Sequence, residues 1–281
     1  MSEGKRTIWE ILKRRIKKML RMPLPPKPYE RVFEREAELF GLHRGDNGEF
    51  FPDFHITSSD TVVDVGCGFG GACVFAAAQG AEVVGVDINP PWIEHTKKRL
   101  REETSSQRWK LYVSDSNPLP LESGIATKVI CQEVLEHVDD PAAVLAELAR
   151  IGRVGARYLL SVPDPASEAV MREITPAWVW AKPHHQHIFE HKFLDQLVES
   201  VGLTIERRAS YSFYWSMWWI LLWSEPSITM TTQFGGALKP VLRYWNKTWD
   251  ALLAAPEGMR VKNALDKAMP KSQFLLARKA A

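Results

Sequence analysis

A chain of 281 residues with 36 Lys and Arg against 34 Asp and Glu has a formal charge of +2. It is long enough to bury a full core, and too evenly charged for a body devoted to nucleic acid. Its three cysteines, Cys67, Cys73 and Cys131, are an odd number with no CxxC spacing, so free thiols in a reducing compartment are expected and a disulfide framework is not.

The basic charge gathers at the start, in "GKRTIWEILKRRIKKMLRM", Gly4 to Met22. Across residues 7–22, Ile8, Leu12, Ile16 and Met19 recur at helical spacing with Lys and Arg between them. That pattern suits a basic amphipathic helix on an anionic membrane, and equally a solvated terminal helix or a partner-docking segment. No continuous apolar core with a small-residue cleavage site follows it, so it is not read as a signal peptide. No apolar run is long enough to span a bilayer. The expected location is cytoplasmic, peripheral at the inner face of a membrane if the helix binds there. "PLPPKP", Pro23 to Pro28, cannot continue a helix and closes residues 1–28 as a stiff linker.

From Ser59 onward, short β-branched runs alternate with helical stretches. Thr61–Val65, Glu82–Val86, Lys110–Val113, Lys128–Cys131 and Arg157–Val162 read as buried strands, with helices over Gly71–Gln79, Pro91–Glu103 and Pro141–Ile151. This order specifies an α/β domain, residues 29–210, with a parallel sheet whose ligands sit at the carboxyl ends of the strands. "LTIERRAS" and "SQFLLARK" read as two further strands, the second within residues 271–281. Between them lies a helical insertion, residues 211–270, opening with "YSFYWSMWWILLW" and continuing with Tyr244, Trp245 and Trp249. Its aromatics suit a membrane interface at 211–223, a lid over an apolar acceptor, or a helix buried against the domain.

"VVDVGCGFGG", Val62 to Gly71, follows a strand and opens a helix. Gly66, Gly68 and Gly71 satisfy G-x-G-x-x-G, a weak dinucleotide signal on its own. The same stretch satisfies Asp-x-Gly-x-Gly-x-Gly from Asp64 to Gly70. A carboxylate at Asp64 is poorly suited to a pyrophosphate and well suited to an ammonium. Asp87 ends the next strand, where a carboxylate accepts ribose hydroxyls. Asp115 follows the third strand, where an acid can accept from an adenine amino group. Three acids at successive strand ends describe a cationic ligand built from adenine, ribose and an amino acid. Taken singly, each could be an ordinary turn or helix cap.

The Asp64–Gly70 loop, Asp87, the Asp115 turn and "CQEVLEH" resemble, in order, the motifs of the class I S-adenosylmethionine-dependent methyltransferases over residues 59–210. The resemblance implies a Rossmann-like, seven-stranded, mostly parallel sheet with helices on both faces, its last strand antiparallel. It implies that S-adenosylmethionine is lined by Asp64, Gly66, Cys67, Gly68, Gly70, Asp87, Ile88, Asp115, Ser116 and Gln132. It also places "EVLEH" beside the methyl group.

Methyl transfer from a sulfonium draws mainly on positioning, and a hydroxyl acceptor must also lose its proton. Three roles fit Glu133, Glu136 and His137. His137, with Glu133, can act as base or orienter; the set can hold a divalent metal, Mg²⁺, Mn²⁺ or Zn²⁺, that polarises the acceptor; or the residues cap a helix. "KPHHQHIFEHKF", Lys182 to Phe193, supplies later histidines. The pairing of ExxEH with H-x-H-x-F-E is similar to the metal site of small-RNA 2′-O-methyltransferases, which implies His187 as a further ligand. ExxEH is likewise similar to quinone-biosynthesis O-methyltransferases. The expected activity is O-methylation of a lipophilic or membrane-linked acceptor such as a quinone precursor, a lipid or a lipid-linked glycan. The alternatives are an RNA 2′-O-methyltransferase, a non-catalytic adenosylmethionine-binding scaffold and, more remotely, a nicotinamide oxidoreductase.

Overall fold

The computed structural model describes residues 47–224 and 240–280. The expected helix at 7–22, the linker at 23–28 and part of the insertion, 225–239, lie outside them. Strand β1 (Glu49–Phe51) and strand β2 (Phe54–His55) form a short antiparallel hairpin not expected from the sequence. Then follow β3 (Thr61–Val65), α1 (Gly71–Ala78), β4 (Glu82–Asp87), α2 (Pro90–Glu103), β5 (Trp109–Val113), β6 (Ala126–Gln132), α3 (Pro141–Ile151) and β7 (Gly152–Pro163). The chain continues through α4 (Pro165–Ile174), a 3₁₀ turn (Ala177–Trp180), α5 (His191–Ser200) and β8 (Leu203–Tyr211). Three helices, α6 (Phe213–Leu222), α7 (Pro240–Ala254) and α8 (Gly258–Ala268), precede β9 (Ser272–Lys279).

The main sheet has seven strands in the order β5-β4-β3-β6-β7-β9-β8. Strands β3 to β7 pair in parallel, and β9 runs antiparallel between β7 and β8. The strands read as continuous apolar runs because both faces are covered. Val63, Val65, Val129 and Leu160 point into one core with Leu145 and Leu148 of α3 and Leu194 of α5. Val62, Val83, Ile130 and Leu159 point into the other, with Cys73 and Ala76 of α1, Leu100 of α2 and the hairpin's Phe50, Phe51 and Phe54. Period-2 alternation therefore puts Asp64 on the face that α1 covers.

The insertion builds its own small core. Tyr214, Trp215, Trp218, Leu222, Leu242 and Trp249 are buried together, and the Tyr214 ring stacks on Trp245 at 5.8 Å. Asp266 of α8 accepts from Phe213 N at 2.8 Å and pairs with the buried Lys262. Every residue of 211–223 is buried or half-buried. Much of the aromatic area of this stretch is therefore taken up by packing within the insertion. Among the described residues no helix is long and apolar enough to cross a membrane.

Candidate active site

The strand order brings the carboxyl ends of β5, β4, β3 and β6 side by side, the position of a ligand crevice in an open α/β sheet. After β3 the backbone turns through Gly66 and Gly68, at φ 76° and 50°. Gly66 N and Cys67 N both donate to Val86 O, at 2.7 and 3.0 Å, which ties the loop to β4. A Cβ on Gly66 would stand 2.2 Å from Val134 Cγ2, so the turn after β6 packs directly on this loop. Gly66→Ala is expected to cost about 1–3 kcal/mol in a denaturant titration, from overlap and positive φ together. A Cβ on Gly68 would meet nothing closer than 3.9 Å; the backbone there is open to an approaching group.

Asp87 closes the loop from the other side. Its Oδ2 accepts from Gly68 N at 2.9 Å and its Oδ1 from Asn89 N at 2.8 Å. Burial pushes its pKa up, against those backbone donors. Asp64 is buried with one recorded donor, Cys73 Sγ at 3.4 Å. Burial, opposed by that thiol and aided by the charge of Asp87, raises it from 3.8 to about 7. Neither carboxylate forms an ion pair among the described residues. Two buried acids without a cation fit a ligand that brings an ammonium to one and hydroxyl donors to the other. Asn89 adds a second sign: its side-chain oxygen and nitrogen are buried and without a partner among the described residues. Reading the sequence passed over Asn89, because Asn before Pro-Pro looks like a helix cap; it occupies that position, but its side chain makes no capping bond.

The other expected cofactor residues fall around the same edge. Cys67 and Ser116 are buried, Ile88 and Gln132 half-buried, and Asp115 exposed, accepting from Asn117 N at 3.3 Å. Gly70 adopts φ 78° at the start of α1. The chemistry of these residues suits S-adenosylmethionine: on the expected assignment Asp64 would face its ammonium, Asp87 its ribose diol and Asp115 its adenine edge. When bound, that cofactor supplies an electrophilic methyl on sulfur.

Beyond β6, Glu133 adopts φ 55°, unusual for a non-glycine residue and frequent at functional sites. Its carboxylate accepts from Ser161 Oγ at 3.0 Å and pairs with Lys271. Burial would raise Glu133, but the charge and hydrogen bonds of Lys271 hold it below the usual range. Glu136 is 1% exposed, and neither carboxylate oxygen has a hydrogen-bond partner among the described residues. His137 Nε2 stands 3.6 Å from Glu136 Oε1. Burial and the neighbouring His185 push His137 down to about 3, so it is neutral and weakly basic.

The histidine loop lies across this turn. Gln186 N donates to Glu136 O at 2.7 Å, the Gln186 amide to His137 O, and His187 Nε2 approaches Val138 O at 2.9 Å. This laces ExxEH to the later histidines, but in a different combination from the expected metal set. Glu133 is engaged by Lys271 and Ser161, and His187 by Val138, while His185 joins Glu136 and His137 with ligand atoms within 4.8 Å of one another. His185 Nδ1 lies 2.8 Å from Glu168 Oε2 of α4, which leaves Nε2 as the free ring nitrogen. A carboxylate behind an imidazole is the usual support of a metal-binding or proton-accepting histidine. Lys271, Ser161 and Glu168 escaped a reading of the sequence, since each reaches the site from a distant segment; His185 was among the histidines offered with His184, His187 and His191, but His187 was the one expected as a ligand.

Buried acids at successive strand ends, on a sheet of this order, define an adenosylmethionine-binding methyltransferase fold. A methyltransferase-domain family model matches residues 29–207, and the chain belongs to the class I S-adenosylmethionine-dependent methyltransferase family. It is 37% identical over 116 residues to a ubiquinone biosynthesis O-methyltransferase from Thiobacillus denitrificans, covering 41% of this chain and 50% of that protein. It is 31% identical over 100 residues to the chloroplastic tocopherol O-methyltransferase of Arabidopsis thaliana, 35% of this chain and 29% of that one. The match thus takes in half or less of these relatives' lengths. Among solved structures, geranyl diphosphate C-methyltransferase from Streptomyces coelicolor A3(2) superposes with a TM-score of 0.53 at 16% identity, over 88% of this chain and 74% of that one, a likeness of fold alone.

Proposed function

We propose that this protein transfers the methyl group of S-adenosylmethionine to a hydroxyl oxygen of a lipophilic small molecule. One observation carries the acceptor class: an aromatic wall joins the histidine loop to the insertion. Trp180 meets the His185 ring at 5.9 Å, and Trp178 meets both His184 and Trp223 of the insertion at 5.5 Å. An acceptor reaching Glu133 and His137 past that wall would bury apolar area against it. The names of the two aligned relatives, one for ubiquinone biosynthesis and one for tocopherol, support the same reading. The basic segment at 7–22 would bring the protein to an anionic bilayer in which such an acceptor dissolves.

The experiment supplies methyl-labelled adenosylmethionine with fractionated extract of the source cells, presented in anionic or neutral vesicles. Label in the organic-extractable fraction, higher with anionic vesicles, is the expected result. Label in RNA would replace the acceptor class. Cofactor binding without transfer to any fraction would leave an adenosylmethionine-binding scaffold.

A second reading rests on the unpartnered carboxylate of Glu136. With His137 and His185 it offers the oxygen and nitrogen donors that suit a divalent cation, supported from behind by Glu168. Such an ion would act as a Lewis acid on the acceptor oxygen. In the same assay, chelator would then abolish transfer, and equilibrium dialysis would show one Zn²⁺ or Mn²⁺ retained by the wild type and lost in His185→Ala. Full transfer in chelator would remove this reading.

A further inference from the structure

Lys271 is a cation that no motif marks. Its backbone joins three segments: Lys271 N donates to Tyr211 O at 2.7 Å and Ser212 O at 3.2 Å, while its carbonyl accepts from Asp164 N at 3.0 Å. The start of the insertion, the end of the insertion and the end of β7 meet at this one residue. From there the side chain crosses the carboxyl edge of the sheet to Glu133, one residue past β6. Glu133 is held in turn by Ser161, and Val134 beside it touches the cofactor loop at Gly66. The ammonium therefore stands at the carboxyl edge of the sheet, one residue away from the turn that packs on the Gly66 loop.

Its chemistry is that of a fixed charge and not of a base. Burial works against the ammonium, but Glu133, and behind it Glu136 and Glu168, hold its pKa above the usual lysine value. An ammonium has three donors. One goes to Glu133, and a second makes a long 3.4 Å contact with Ser272 Oγ; among the described residues the third meets no acceptor and can serve an incoming oxygen. A fixed positive charge beside a hydroxyl increases its acidity, and brings it to ionisation near neutral pH only where the hydroxyl is already as acidic as a phenol or an enol.

We propose that Lys271 holds the acceptor oxygen as an oxyanion, so that the acceptor is a phenol or enol and not an aliphatic alcohol. This rests on the methyltransferase reading above and narrows it. The acceptor gives its proton to solvent on binding. Its oxygen lone pair then forms the new C–O bond as the S–C bond breaks, and that electron pair returns to sulfur, leaving a neutral thioether. Glu133 is a positioning residue that keeps Lys271 at its place.

The test uses the full chain, a series of alkyl-substituted catechols of graded acidity, a long-chain alcohol, and Lys271→Met. Because Lys271→Met leaves the half-buried Glu133 without its cation, the double variant Lys271→Met/Glu133→Gln is run beside it. Calorimetric titration is expected to show adenosylmethionine affinity within about twofold of wild type in both. The rise of kcat with pH, which reports the bound acceptor's ionisation, should move up by about one pH unit or more in both. The rate at pH 7 should fall about tenfold or more for weakly acidic catechols and much less for one already ionised. A lowered rate with the same pH profile and the same dependence on acidity would reduce Lys271 to a structural strut and overturn the proposal. So would a wild type that methylates the alcohol but no catechol, with the methyltransferase reading intact. A wild type that binds no adenosylmethionine would sink that reading itself.

Discussion

Asp64→Asn is expected to raise the stability of the ligand-free protein at pH 8 while weakening adenosylmethionine binding about 100-fold. In the fold, burial lifts Asp64 from 3.8 to about 7. Between those values the native state keeps a proton that the unfolded chain has released, so stability falls as pH rises through the window and levels off above it. At about 1.4 kcal/mol per pH unit, ionising Asp64 at pH 8 costs on the order of 4 kcal/mol. An amide carries no such charge and can still accept from Cys73. Melting temperatures should therefore favour Asp64→Asn by several degrees at pH 8 and converge near pH 4, where the wild-type carboxyl is protonated. On the expected assignment the same charge would serve the ligand's ammonium. Wild-type affinity should tighten about tenfold per pH unit below 7 and then level off; the variant should bind about 100-fold more weakly at pH 8, with little pH dependence. Equal melting temperatures at pH 8 would show that Asp64 is not the strained carboxylate described here.

The same isosteric change one strand away is expected to have the opposite sign on stability. Both oxygens of Asp87 accept backbone N–H groups, from Gly68 and Asn89. An amide offers one acceptor only, so Asp87→Asn turns an N–H₂ toward one of two inward-pointing N–H donors. Leaving one buried donor unmet costs about 1–3 kcal/mol, seen as a lower denaturant midpoint with an unchanged slope. Relief of the carboxylate's own burial offsets part of that cost. The loop that Gly68 anchors loosens, and the ribose diol loses its acceptor, so adenosylmethionine binding should fall about 100-fold or more. A variant as stable as Asp64→Asn would mean that Asp87 does not order the loop.

What the sequence could express was local. Strands covered on both faces must read as unbroken apolar runs, and α2 and α3 between them open with Pro-Pro and Asp-Pro. Element order and most boundaries were therefore legible; β7 began at Gly152 and not at Arg157 because α3 passes straight into it. The cofactor half of the site was legible for the same reason. Asp64, the glycines and Asp87 lie on consecutive strand ends of a sheet whose order follows from the alternation, so spacing along the chain stands in for distance.

The acceptor half could not be read that way. His185 and His187 differ by two residues, and only the hydrogen bonds of Glu136, His137 and Val138 to the 186–187 backbone and side chains decide which imidazole faces Glu136. Likewise, nothing near Lys271 in the chain points to Glu133. That pair exists because antiparallel β9 lies beside β7, and β7 beside β6. The aromatic insertion was ambiguous for a related reason, since Trp and Tyr at helical spacing suit a membrane, a lid or a core alike. The sequence by itself determined the fold class and the cofactor it is built to hold, because period and strand-end chemistry are properties of contiguous residues. Only the tertiary structure decided which carboxylates keep a free face, which histidine joins them and where the aromatics are buried, because those are outcomes of packing between segments far apart in the chain.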